Sequence, residues 1–356
     1  MSEFQVDAIT NRDGSYGPQV CGITTFTGSG MTLPSGSTSF RKQNGSGRGR
    51  GIIGGSYPSP SRGGIDFIEI STKADAKDFG EMRQHGWSAC FGSSIRGVYA
   101  GGYTSSQPYI TSMDYVTISS LGDGIDFGEL RTGIRMNAGA SNSTRGLSFG
   151  GLISPGGDNS YAQDTINFIN ISSGGTDQNF GTSSLARRAG KATASSTRAV
   201  YFIGGYQYGA AATNVIEYVT IQTQGDAIDF GDTSEVNELH GAAGANSTRA
   251  VIAGYYGGPS VPTLPSPGNS NTIEYITIAT TGNSINFGDL TDDRHGGGIM
   301  TNETRGVITG MWPGAASNII DYITLSTTGD AVDFGDLQAT RYYADCISDT
   351  HGGLAQ

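Results

Sequence analysis

One phrase recurs so often along this chain that it dictates what the chain can fold into. Its clearest copy is Asn318–Leu337, NIIDYITLSTTGDAVDFGDL. Ile319, Asp321, Ile323 and Leu325 alternate with Ile320, Tyr322 and Thr324; a Thr-Gly-Asp turn follows, then a second run through Val332 and Phe334. Period-two alternation broken by a glycine-containing turn specifies a β-hairpin. Close copies lie at Ile65–Met82, Met113–Leu130, Ile166–Thr182, Ile216–Thr233 and Ile273–Leu290, making six hairpins in 356 residues. A hairpin this small cannot bury its apolar face alone, so the repeat is the architecture.

Two shorter segments precede each hairpin. One is a run of small residues: Gly86–Ala89, Asn137–Ser141, Ala189–Ala194, Gly241–Ala245 and Gly296–Ile299. The other reads Ser/Thr-x-Arg-Gly/Ala-apolar around Arg96, Arg145, Arg198 and Arg249, with shorter versions at Arg50 and Arg305, and ends in one glycine or two. A unit is therefore four short strands over roughly 46–56 residues, the period of propeller blades. No stretch carries the 3.6-residue apolar period of a sizeable helix. The reading is all-β.

Composition narrows the function classes. A net charge of −11 disfavours nucleic acid and anionic membrane surfaces, which are held by Lys and Arg. Cys21, Cys90 and Cys346 make neither a disulfide framework nor a metal spacing, so no cofactor or metal is expected. No run of about 18 apolar residues exists, and Met1–Val20 lacks an apolar signal core, which argues against membrane insertion and secretory targeting. Glycine, at 57 residues, recurs at fixed places and so marks turns and close approaches, not disorder.

The two ends complement each other. Cys21–Pro34 reads as a degraded hairpin, whereas Arg341–Leu354 holds the opening strands of a unit without a hairpin. Joining them makes one blade shared between the termini, which removes open sheet edges. Six whole units and one shared unit predict seven four-stranded blades over residues 21–356, with residues 1–20 as a separate segment that needs a partner to order it.

The pattern Arg-x-x-Gly-Ala, Arg-Gly-Val, Gly-Gly-Tyr, Glu-Tyr-Ile-x-Ile resembles the kelch-type repeat of β-propellers from about Arg41 to Leu354, with Phe of Asp-Phe-Gly where kelch has Trp. The phrases Asp-Tyr-Ile-Thr, Thr-Thr-Gly-Asp-Ala and Ser-Thr-Arg-Gly-Val, and the opening Val6-Asp7-Ala8-Ile9-Thr10-Asn11-Arg12, resemble virion, tail-fibre-like proteins of marine cyanophages. That resemblance implies a non-enzymatic structural or binding protein of a phage particle, anchored to other virion proteins through residues 1–20. It also allows a homo-oligomer within the particle.

The recurrent residues read as scaffold. Asp-Phe-Gly or Asn-Phe-Gly occurs six times, so Phe79, Phe127, Phe180, Phe230, Phe287 and Phe334 are blade-packing residues and not a kinase metal loop. Arg96, Arg145, Arg198, Arg249 and Arg305, with Arg50, recur in step with the Asp or Asn before each Phe, and pairing between the two rows is expected. Acidic residues three apart, as in Asp226, Asp229 and Asp232, point to opposite strand faces and do not converge on calcium. His85, His240 and His295 open the small-residue strands, where strand-end hydrogen bonding outweighs a shared metal ion. Asn142-Ser143-Thr144 and Asn246-Ser247-Thr248 match glycosylation acceptors but read as repeat turns.

Function is expected on one face. Loops between strands one and two and between three and four are monotonous, whereas the two–three loops differ in every blade. These variable segments carry Tyr57, Tyr103, Tyr109, Tyr161, Tyr206, Tyr208, Tyr255, Tyr256 and Trp312. Divergent aromatic loops on a rigid scaffold make binding surfaces, here for a host-surface glycan or protein. The alternative is a capsid decoration or tail joint whose variable face meets other virion proteins. No carboxylate pair or nucleophile–base arrangement stands out as catalytic.

Overall fold

The computed structural model describes residues 25–27, 30–32, 49–55, 63–83, 86–104, 106–154, 161–202, 213–237, 239–257, 268–312 and 317–354. The chain divides into two units, Met1–Ser46 and Gly47–Gln356. In the first, Thr25–Thr27 and Gly30–Thr32 pair as an antiparallel hairpin. The second is a β-propeller of six sheets, each an antiparallel meander of four strands.

Blade 1 consists of Ala89–Gly92, Arg96–Ala100, Ile110–Thr117 and Ile125–Ile134. Blade 2 consists of Ala138–Ser141, Arg145–Phe149, Tyr161–Asn170 and Gln178–Arg187, with a two-residue addition at Leu152–Ile153. Blade 3 runs through Lys191–Ala194, Arg198–Phe202, Thr213–Thr220 and Ile228–Asn237; blade 4 through Leu239–Ala245, Arg249–Gly257, Gly268–Thr277 and Ile285–Asp289. Blade 5 comprises Gly298–Thr301, Arg305–Thr309, Ser317–Thr324 and Val332–Arg341. Blade 6 is the composite: Asp345–Ser348 lies inside Arg50–Gly54, followed by Gly64–Glu69 and Lys77–Glu81.

The expected seven blades are thus six, and the shared blade is divided differently. Asp345 pairs with Gly54 and Ser348 with Gly51, so the strand opening at Arg50 already has its inner neighbour. The hairpin near residues 25–32 contributes no strand to these sheets. First strands meet first strands around the axis from blade 1 to blade 6 and back to blade 1, which closes the ring.

Small residues are required at that axis. A Cβ on Gly139 would stand 2.1 Å from the Cys90 carbonyl oxygen of the neighbouring blade. Apolar clusters form where blades stack: Leu147, Ile166 and Phe180 of blade 2 pack with Tyr201, Val219 and Ile221 of blade 3 or the turn after its third strand. The six Phe of the fourth strands are buried beside a register shift common to all blades. Each meets the third-strand aromatic of its own blade edge to face, as Phe287 does with Tyr275 at 6.0 Å. The blade-packing assignment of Phe127, Phe230, Phe287 and Phe334 agrees with this geometry.

Polar rows staple each blade to the next, and here the expected pairing is corrected. The arginines do not hydrogen-bond the Asp or Asn before Phe. Arg96 Nη1 donates to the Ile171 carbonyl, Arg145 to Ile221, Arg198 to Ile278, Arg249 to Leu325, Arg305 to Ile70 and Arg50 to Ile118, always in the following blade. Each guanidinium also lies over the third-strand aromatic of its own blade, 4.1 Å from the Tyr275 centroid for Arg249. The residue before Phe is exposed on the outer strand, as at Asp78, Asp229 and Asp333, where water solvates it more cheaply than a cation could.

A second row comes from the turns. Asp123, Asp226, Asp330 and Asp75 each accept a backbone N–H from the fourth strand of the preceding blade, at 2.9–3.0 Å. These turns add backbone hydrogen bonds to the same strands, such as Gly175 N to the Phe127 carbonyl, and so cover edges that would otherwise be open. A third row, not anticipated, is a buried acid in five of the six third strands, Asp66, Asp114, Glu217, Glu274 and Asp321, with Asn167 at that place in blade 2. Asp114 pairs with Arg83, Asp321 with Arg294, and Asp66 with Arg341, all across blade boundaries. Burial pushes the Asp66 and Glu217 carboxyls above their usual range.

Candidate functional site

The first strands surround a channel whose two ends differ. On the monotonous face, the chain leaves blade 6 and turns through a short 3-10 helix, Gly352–Leu354, into the channel. His351 Nε2 donates to the Gly92 carbonyl at 3.0 Å, and Nδ1 accepts from Gly353 N at 3.2 Å. A Cβ on Gly353 would lie 1.8 Å from the Ser141 carbonyl oxygen, so the segment fits only as glycine. The loops beside it are Asx turns: Asn142, Asn246 and Asn302 each accept the N–H of residues two and three places on. Asn142 is 3% exposed, and its Nδ2 donates to the next blade, at the Ser196 carbonyl. These asparagines are structural.

The other end opens on the variable face. Two residues before the first strand of five blades, the backbone turns left-handed: φ is 57° at Trp87, 58° at Met136, 57° at Ala189, 68° at Gly296 and 54° at Tyr343. Non-glycine residues rarely adopt this conformation, and four equivalent cases ring one mouth. The kink swings the fourth-to-first connection across the opening, so the side chains at these positions form its rim.

Aromatic groups extend from this rim in a connected chain. Arg135 lies 4.8 Å from the Tyr109 centroid and 5.3 Å from that of Tyr103. Tyr103 stands 5.5 Å from Trp87, and Trp87 5.5 Å from Tyr343. Tyr343 then touches Tyr342 and His295, which lead to Trp312 and Tyr256 respectively. His295 is 3% exposed, and burial, with the Lys191 ammonium adding to it, holds its pKa down to about 4. The ring is therefore neutral. Asn269 Oδ1 at 2.6 Å can only accept, so Nδ1 carries the proton, and Nε2 accepts from the Tyr343 hydroxyl at 3.0 Å.

Below the rings lies a polar floor. Lys191 and Asp345 occupy the first position of the first strands in blades 3 and 6, which face each other across the ring. Lys191 Nζ stands 4.0 Å from Asp345 Oδ1, and Asp345 Oδ2 accepts from both N and Oγ of Ser88. With the 3-10 helix at the far end, the mouth is a blind cup and not an open pore. A ligand there meets ring faces and edges at the wall and one ion pair beneath.

The predicted aromatic residues fall into four groups. Tyr103, Tyr109, Tyr256 and Trp312 join the mouth cluster, all half-buried. Tyr161, 49% exposed, stands at the start of the third strand of blade 2. Tyr255 is a correction: it lies inside the second strand of blade 4 at 1% exposure, so its side chain belongs to the core and not to an exposed loop. Tyr57, Tyr206 and Tyr208 lie outside the described residues, as does His85. His295 sits one place earlier relative to its strand than His240 does, so these histidines are not equivalent. Among the described residues no group of three His, Cys, Asp or Glu side chains is placed to hold a metal ion.

Sequence reasoning missed Trp87, Arg135, Lys191, Tyr343 and Asp345. A signal existed for Lys191: one charge inside a small-residue run, at a place where every other blade but the composite has Ala or Gly. No protein-family model matches this sequence, and no curated protein is similar enough to serve as a relative.

Proposed function

We propose that the chain is a non-enzymatic binding part of a phage particle, tail-fibre or adhesin-like, that holds a host-surface glycan at the mouth of its propeller. The observation that carries the binding reading is the ring cluster from Tyr109 through Trp87 to Tyr256, built on the one face whose loops differ between blades. Flat rings cover the apolar faces of sugars, and the polar floor supplies partners for hydroxyls. A protein partner would use the same rings as anchors. The placement in a virion rests on the resemblance of the repeat phrases and of residues 6–12; residues 1–20 then serve as the attachment to other virion proteins, by strand addition.

The test is binding of the fluorescent full-length chain to candidate host cells, beside a variant carrying Tyr103→Ala, Tyr109→Ala and Trp312→Ala. Saturable binding that the variant loses supports the reading. Binding by neither protein, with both folded, favours the second reading, a joint between virion proteins. One observation favours that alternative: Trp312 lies edge-on against Tyr342 at 4.3 Å and so already serves packing.

A further inference from the structure

Between the fourth strand of blade 1 and the sheet of blade 2 lies a cavity of about 310 Å³ that shares no residue with the ring cluster. By the measure in which one water needs about 10–15 Å³, that is ample for a sugar acid, with its ~13 non-hydrogen atoms. The boundary around it departs from the repeat. In five blades the third-strand acid sits directly opposite the residue before Phe: Asp66 with Asp78, Asp114 with Asp126, Glu217 with Asp229, Glu274 with Asn286 and Asp321 with Asp333. Each of these pairs holds at least one carboxylate. In blade 2 the pair is Asn167 with Asn179 and holds none, and both line the cavity.

The exchange alters the surroundings of one arginine. At the boundary of blades 6 and 1, Arg83, four places after Phe79, bonds both carboxylates of the pair, Asp114 and Asp126. Its equivalent Arg131, four places after Phe127, meets a carboxamide instead: Nη2 donates to Asn167 Oδ1 at 3.0 Å. Asp177 replaces one of the two acids. Its Oδ1 accepts the Arg131 backbone N–H at 2.7 Å, as Asp114 Oδ2 does for Arg83, and lies 3.6 Å from Nε. Nothing replaces the other. Among the described lining residues only Arg131 and Asp177 are charged, so the cavity is balanced, whereas Arg83 faces two carboxylates. The chain's net charge of −11 matters less here, because charges beyond about 8 Å are screened at physiological salt.

A carboxylate on the ligand restores the partner that the exchange removed. It accepts two parallel N–H bonds from a guanidinium, which a hydroxyl cannot do. The Arg131 side chain is 48% exposed and so within a ligand's reach. The carboxamides of Asn167, Asn179 and Gln163 both donate and accept, as sugar hydroxyls require, and Ile134 and Ile153 add an apolar wall. We infer that the cleft between blades 1 and 2 binds a uronic acid unit of a host-surface glycan. Asp177 holds Nε, so the ligand's carboxylate meets the Nη edge of Arg131, and its ring hydroxyls meet the carboxamides. This inference rests on the glycan reading and gives it a further site and a ligand class.

Calorimetric titrations of the full chain with glucuronic acid, galacturonic acid, glucose, galactose and acetate test it. The expected result is at least tenfold tighter binding of the uronic acids than of the neutral sugars or acetate. Asn167→Asp with Asn179→Asp rebuilds the carboxylate pair with which blade 1 already folds, and should abolish that preference. Arg131→Gln should abolish it too. Equal affinity for uronic acids and neutral sugars, with cell binding intact, overturns the uronic acid assignment and leaves the glycan reading standing. A preference that survives in the folded variants, or acetate binding as tightly as the uronic acids, also overturns it. Binding to no sugar and no cell overturns both.

Discussion

Replacing Arg249 by Met tests the logic that holds the blades together. Arg249 Nη1 donates to the Leu325 carbonyl of blade 5 at 2.7 Å, and its guanidinium lies 4.1 Å from the Tyr275 centroid. A hydrogen bond from a charged donor contributes about 1.5–3 kcal/mol, and a half-exposed cation–π contact about 0.5–1. Methionine keeps part of the packing over the ring, which returns some of this. The net loss expected is about 2 kcal/mol, read as a lower urea midpoint at unchanged slope. Both acceptors are uncharged, so the loss persists in 1 M salt, where the Debye length is about 3 Å. Double-mutant cycles sharpen the test: Arg249 and Tyr275 should couple by about 1 kcal/mol, and Arg249 and Asn286 by less than about 0.3. A variant within about 0.5 kcal/mol of the parent, or coupling to Asn286 instead of Tyr275, would refute the inter-blade assignment.

Three further outcomes follow from the geometry. Gly128→Ala places a Cβ 2.2 Å from the Gly175 carbonyl oxygen at φ 139°, whereas Gly122, at φ 147°, has nothing within 4 Å. Urea melts should therefore show Gly128→Ala losing at least about 2 kcal/mol more than Gly122→Ala, since the strain is shared and only the clash differs. Asp349 Oδ1 accepts from Gly49 N at 2.9 Å and Arg50 N at 2.8 Å, tying the two ends of the ring. Asp349→Ala should cost about 2–3 kcal/mol, with Asp349→Asn milder because its carbonyl still accepts; equal losses would count against the acceptor role. His295, with a pKa of about 4 when folded against an ordinary 6.5, binds fewer protons folded than unfolded between those values. This group alone should lower stability by up to about 3 kcal/mol as pH drops from 6.5 to 4, then level. Burial likewise holds His351 down to about 4, so it adds a similar fall over the same window; His295→Gln should remove about half of the total, and an unchanged slope in the variant would refute the assignment.

Local periodicity determined much of this protein before any coordinates. Alternation in Asn318–Leu337 and its copies specifies the hairpins, because a strand's side chains must alternate between a core face and a solvent face. Six-fold recurrence of Phe334 and its equivalents marks them as packing residues, and a blade shared between the two ends follows from incomplete units at both. The monotonous and variable faces were also legible, since strand direction alternates within a meander.

Tertiary structure decided the rest. Six blades and not seven follow from Asp345–Ser348 taking the place inside Arg50–Gly54, a pairing of strands nearly 300 residues apart that no local pattern encodes. The acceptor of each recurrent arginine is a backbone carbonyl of the following blade, and every residue has such a carbonyl, so sequence could not single it out. Tyr255 and Tyr256 are adjacent and chemically alike, yet one faces the core and the other the mouth, because successive strand residues point oppositely and only the register says which. The cup itself joins Trp87, Asn137, Lys191 and Tyr343 from four blade entrances. Those residues meet only because the ring closes, and closure sets which distant side chains share the axis.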